Sequence, residues 1–115
     1  MQSVQPGSQR TTASGTADVV ICAAPATGKT REVIAIRFTN LDAEAHSPVV
    51  KKTISGTTVA VEQVSGVPIG ACERGWCSRD VPYVLAAGES LAGALLSAGG
   101  LTQPSWLVEF MEGTD

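Results

Sequence analysis

The apolar residues of this chain come in short runs, each cut off by glycine, proline or a polar cluster, and that punctuation most limits the folds open to it. No run keeps the three-and-four spacing of a long amphipathic helix. The clearest run is Thr30 to Thr39, where Ile34, Ile36 and Phe38 alternate with Val33, Ala35, Arg37 and Thr39. A period of two predicts a strand with the first set on the core face. Trp106 to Glu112 alternates in the same way and places Trp106, Val108 and Phe110 on one face.

The remaining runs fit the same pattern. Ala17 to Ala24 is rich in β-branched residues, which favour a strand. Pro48–Ile54 and Thr57–Val64, joined by Ser55-Gly56, read as a hairpin with Val59 and Val61 inward and Thr58 and Glu62 outward. Val81 to Leu85 is a short strand whose Pro82 suits an edge or a strand start. Ser90 to Leu96 also fits a helical face, but it is short, contains Gly93 and runs into Gly99-Gly100, so a strand is expected. Pro25-Ala26-Thr27-Gly28 and Ala86-Ala87-Gly88-Glu89 supply turns, and Asn40 to His46 reads as a polar loop.

These elements predict an all-β chain: a single jelly-roll-like β-sandwich of about seven to eight short strands over residues 17–115. Residues 1–16 are rich in Ser, Thr, Gln and Gly and are expected as an extended N-terminal arm outside it. Such a segment cannot bury enough apolar area to fold alone. Its composition fits both a loose tail and an arm that orders on a neighbouring subunit. Residues 65–80 are expected as a long loop, a feature that in compact domains often forms interfaces.

At 115 residues the chain is one domain. Charged residues make up 17% of it, against about 25% in ordinary soluble domains, which suits a subunit that buries much of its surface on neighbours. The net charge is −3, and Lys51-Lys52 is the only adjacent basic pair, so nucleic-acid binding is not expected. No apolar run approaches the roughly 20 residues of a membrane helix, so no membrane partner is expected. Met1 to Thr16 lacks the basic start and apolar middle of a signal peptide, which predicts synthesis in the cytoplasm without export by that route.

The chain offers little chemistry. Ala23 to Thr30 ends in Gly28-Lys29-Thr30 like a phosphate-binding loop, but Ala23 stands where the motif needs glycine. A strand pattern follows where a helix N-terminus should face the phosphate. His46 is the only histidine and has no nucleophile at a recognisable spacing, so a solvated loop side chain is expected. Asp42 and Glu44 are likewise expected in solvent. No catalytic residue, cofactor or metal ligand set is predicted, and the chain is not expected to be an enzyme. Cys22, Cys72 and Cys77 are either three reduced thiols, the usual state in the cytosol, or a Cys72–Cys77 loop closure with Cys22 left for an intermolecular bond. Trp76, between Gly75 and Cys77, is a candidate interface anchor or sugar-stacking platform, or else a cover for the open end of the sandwich.

Ala24-Pro25-Ala26-Thr27-Gly28-Lys29-Thr30, the strand ending Ile36-Arg37-Phe38-Thr39-Asn40, and the turn Leu85-Ala86-Ala87-Gly88-Glu89-Ser90-Leu91 carry a resemblance. Over residues 17–112 the order of elements resembles the small β-sandwich virion proteins of tailed bacteriophages. The segment around Cys72 and Cys77 departs from that pattern. The resemblance implies a structural subunit of a virion, as a capsid decoration (cement), collar, fibre or tail component. It implies an oligomer whose partners are copies of itself and other virion proteins, met through the arm and the loop 65–80. It also implies that a Cys72–Cys77 disulfide forms once particles reach an oxidising medium, with Cys22 free or paired across subunits. The alternative from another class is a carbohydrate- or receptor-binding β-sandwich that stacks its ligand on Trp76 and Tyr83.

Overall fold

A computed structural model describes residues 3–63, 74–76, 83–96 and 102–114. They form strands β1 (Ser3–Thr12), β2 (Val19–Cys22), β3 (Lys29–Thr39), β4 (Pro48–Ile54), β5 (Thr57–Gln63), β6 (Arg74–Trp76), β7 (Val84–Leu85), β8 (Glu89–Leu95) and β9 (Ser105–Thr114). No helix occurs among the described residues. Ser90–Leu96 resolves as the expected strand.

Two antiparallel sheets result, in the orders β1-β9-β3-β6 and β2-β8-β4-β5. Strand β6 pairs with the Arg37–Thr39 end of β3, and β7 pairs with its Arg31–Glu32 end. The two short strands therefore share one position in the sheet. Counted as one, they complete a simple scheme: first strand with last, second with next-to-last, and so on inward to the β4–β5 hairpin. That is a long hairpin wound into two Greek keys, the jelly roll. The β-sandwich expected from the runs is the observed fold.

The core lies between the sheets, centred on Trp106, whose ring meets Phe38 edge-on at 5.0 Å and 66°. Ile21, Val50, Leu85, Leu91, Leu95, Val108 and Phe110 surround this pair and are buried. On β9 the expected face of Trp106, Val108 and Phe110 is the buried one. The link between β4 and β5 turns through Ser55 (φ 50°) and Gly56 (φ 85°), the left-handed pair of a tight hairpin that matches strand twist.

Two expected alternations fail, both at bulges. In β3 the register against β9 shifts between Val33 and Ala35. The extra residue flips the phase, so Val33 is buried and Ile34, expected inward, is 55% exposed. In the hairpin, Lys52 pairs with Ala60 and Thr53 with Thr58, which leaves Val59 as the bulged residue. Val59, also expected inward, is 53% exposed.

Residues 3–12, read from composition as part of an arm, are strand β1 of this chain's own sheet, paired with β9 over ten residues from Ser3↔Thr114 to Thr12↔Ser105. Composition misleads here because a strand ladder joins main chains and needs no apolar side chain. None of Val4 to Thr12 buries its side chain fully.

Candidate functional site

Strand β1 borders one sheet and β2 the other, on the same side of the sandwich. Gln9 joins them: its Nε2–H donates to the Val20 carbonyl at 3.0 Å, and its Oε1 accepts the Ala23 N–H at 2.9 Å. The Thr11 hydroxyl donates to the same Val20 carbonyl at 3.2 Å. Side chains of the first sheet thereby occupy main-chain groups along the border of the second, which blunts an edge that would otherwise invite another chain.

Nearby, Arg31 gathers three elements. Its Nε–H donates to Glu112 Oε1 at 2.8 Å, its Nη1–H donates to the Ala23 carbonyl at 2.8 Å, and its guanidinium lies 4.4 Å above the Phe110 ring. The Arg31 hydrogen bond holds the Glu112 carboxyl below the usual carboxylate range; burial opposes it, and the charges of Arg31 and Lys29 reinforce it. Gly7 of β1, directly opposite Phe110 in the ladder, lies against the same ring. A Cβ there would stand 2.5 Å from Phe110 Cε2, so the ring seat requires glycine in β1.

Cys22 lies close to this cluster. It is fully buried, and burial pushes its thiol up, with Arg31 opposing. A suppressed thiolate is a poor nucleophile. Of the two states expected for Cys22, free or paired across subunits, it is free in this fold; its sulfur is enclosed, and reaching another subunit would require the sandwich to open. Cys72 and Cys77, the candidate disulfide, lie outside the described residues. Trp76 is in β6, opposite Arg37.

The second polar cluster is the loop between β3 and β4. Asn40, Asp42 and His46 are buried there, contrary to the solvated loop expected. Asn40 Nδ2–H donates to the Glu44 carbonyl at 2.7 Å, and Asn40 Oδ1 accepts the Asp42 N–H at 3.0 Å. Asp42 Oδ1 accepts the Ala43 N–H, while Asp42 Oδ2 meets His46 Nε2 at 2.8 Å. The His46 bond, against the cost of burial, holds the Asp42 carboxyl below its usual range; backbone N–H groups of Ala43 and Thr102 reinforce it. An ionised carboxylate can only accept, so His46 Nε2 carries the proton. His46 Nδ1 is buried and has no hydrogen-bond partner among the described residues. Among the described residues the pair thus has the Asp–His half of a catalytic triad with no nucleophile on the other nitrogen. Sealed from solvent, it closes a loop. Glu44, the loop's other acid, is exposed as expected.

The remaining candidates resolve simply. The Thr27-Gly28 segment is a turn, with Gly28 at φ 83°, and Lys29 begins β3, so no helix follows the phosphate-loop-like sequence. Tyr83, offered as a sugar-stacking surface, is 5% exposed in the core beside β7, and its carbonyl accepts the Val33 N–H. Among the described residues no cluster of three His, Cys, Asp or Glu side chains could hold a metal ion, and no helix is long and apolar enough to cross a membrane. Sequence reasoning missed Gln9, Arg31 and the Asp42–His46 pair. Asp42 and His46 stand four apart in a loop too polar to suggest burial, and nothing local marks Gln9 or Arg31.

No protein-family model matches the sequence, and no curated protein matches it. Solved structures do share the fold. A chain of the cyanophage Pam1 capsid asymmetric unit aligns with a TM-score of 0.56 and 14% identity, covering 97% of this chain and 85% of that one. A chain from Bacillus endospore appendages, described as a novel family of disulfide-linked pili, aligns with a TM-score of 0.52 and 10% identity, covering 97% and 87%. At such identities the likeness is one of fold, and it spans nearly the whole of this chain.

Proposed function

We propose that this chain is a non-enzymatic structural subunit of a bacteriophage virion, a capsid decoration (cement) protein or a collar or tail component. The observation that carries the reading is the near end-to-end likeness to a chain of a phage capsid assembly. The likeness to a chain from a pilus supports the coarser half of it, a β-sandwich built to be surrounded by copies. The low proportion of charge agrees, since a subunit covered by neighbours needs little solvated surface. The sealing of the Asp42–His46 pair and the burial of Cys22 agree with it, since neither is open to a substrate.

In this reading the chain meets its neighbours through the segments 1–16 and 65–80; Trp76, expected in a long loop but found in strand β6, is the anchor. Cys72 and Cys77 close part of the second segment with a disulfide after release into an oxidising medium. The test is quantitative mass spectrometry of purified particles from the source of the gene. Hundreds of copies per particle would support a head or tail-tube position, and about a dozen a neck or tail-tip position. Absence from particles, or recovery from a cellular filament instead, would overturn the reading.

A further inference from the structure

We infer that β1 is an exchangeable strand, and that the β9 edge of one copy takes up β1 of a second copy of this chain. The inference deepens the assembly reading above and rests on it for its purpose.

Four observations carry it. First, β1 is held differently from the rest of the sandwich. Its ten residues ladder onto β9, yet none of Val4 to Thr12 buries its side chain fully. Leaving the edge removes no β1 side chain from the core. Second, the seat is specific. Gly7 fits against Phe110, and Gln9 fits the Val20 carbonyl and the Ala23 N–H. A second copy's β1 meets those demands at the same register, whereas an unrelated strand with a side chain opposite Phe110 does not.

Third, the chain is anchored immediately after β1. Ala13 is 3% exposed, and its N–H donates to the Pro104 carbonyl. The Gly15 N–H donates to Gln103 Oε1, and the Gly15 carbonyl accepts the Leu95 N–H. The hinge therefore falls between Thr12 and Ala13, and β1 can swing without drawing a side chain of its own out of the core, uncovering the Phe110 ring until another β1 arrives. Fourth, the reach is sufficient. Ten residues of strand span about 33 Å, more than the 25 and 24 Å minor dimensions of the molecule. A released β1 can cross a neighbour.

Exchange of an identical element adds no new interface chemistry, which makes it a low-cost route to assembly. It also sets a requirement: once β1 leaves, Val20 and Ala23 lose their Gln9 partners until another β1 arrives.

The experiment traps the strand with disulfides at the directly opposed pair Ser8↔Glu109. Two differently sized full-length chains, one Ser8→Cys and one Glu109→Cys, are co-expressed, purified, oxidised and run on a non-reducing gel. The expected result is a band at the sum of the two masses that needs both substitutions and is absent for either chain alone. A single chain carrying both substitutions should, on oxidation, run as covalent dimers and higher multimers that collapse to monomer on reduction. If either Ser8 or Glu109 chain does not fold, Arg10↔Leu107 provides a second opposed pair. No hetero-band, with the doubly substituted chain cross-linking only within itself, would overturn the inference. The purified chain suffices for the test. Exchange without incorporation into particles would overturn the virion reading alone, and incorporation without exchange would overturn this inference alone.

Discussion

Gly93 of β8 lies directly against the indole of Trp106: a Cβ on Gly93 would stand 2.8 Å from Trp106 Cε2 and Cζ2 and 3.0 Å from Ile21 Cγ2. Trp106 and Ile21 are fully buried, so neither has room to retreat. Glycine is needed here for close approach across the sandwich. Gly93→Ala should destabilise the fold by about 1–3 kcal/mol through overpacking. Thermal unfolding followed by circular dichroism checks this; an unchanged Tm would mean that the sheets can separate at this point.

The bulge in β3 predicts opposite outcomes at adjacent residues. Val33→Thr places a hydroxyl in the core and should cost about 1–3 kcal/mol. Ile34→Thr, on the exposed side, should stay within about 0.5 kcal/mol of wild type. Strict alternation through β3 would predict the reverse order, so urea denaturation of the two variants decides between them.

Asp42 predicts an acid dependence. Its carboxyl is held below its ordinary value of 3.8, so the folded state binds its proton less readily than the unfolded state. The stabilisation it provides is complete above that ordinary value and is lost as the pH falls through the depressed value. Asp42→Asn should flatten the decline of Tm below about pH 4 and lower Tm at neutral pH. Glu112, depressed chiefly by the Arg31 hydrogen bond, acts in the same sense, so some acid dependence should survive in the variant.

Cys22 should be inert to iodoacetamide in the native protein, since it is fully buried and its thiol is raised. Unfolding in urea should make it reactive. Mass spectrometry of the labelled Cys22 peptide reads both states, and native-state labelling would show that the β2 border opens readily.

Ser55 is a non-glycine residue at φ 50°. Asparagine tolerates this left-handed conformation better than serine, as the preference for Asn-Gly in such hairpins shows. Ser55→Asn should recover part of the roughly 1–2 kcal/mol that the conformation costs most side chains. A higher Tm is the expected readout.

The parts of the fold written in short-range pattern were legible from the sequence. Alternation found the buried face of β9, and the Ser55-Gly56 pair found the β4–β5 hairpin, with β4 at the expected bounds and β5 starting at the expected Thr57. Bulges were not legible, because one inserted residue leaves no mark in the sequence until register with a partner strand exposes it. That is why Ile34 and Val59 were assigned to the wrong side. Strand β1 was hidden for a related reason: its ladder depends on β9, about a hundred residues on, and not on its own side chains. The Asp42–His46 pair was invisible because burial of a polar loop is settled by what packs over it. No local property of Asn40 to His46 carries that information.

The position of β9 bears on when this protein can fold during synthesis. Strand β9 sits between β1 and β3, although every other described strand precedes it in the chain. Until residues 105–114 emerge from the ribosome, the first sheet lacks its central member and the core lacks Trp106. Strands β1 and β3 must wait unpaired along that border until then. Long-range pairings of this kind are slow to form, and open strand borders invite aggregation while they wait. The polar, glycine-containing and proline-containing sequence of β1 keeps the earliest strand soluble through that interval.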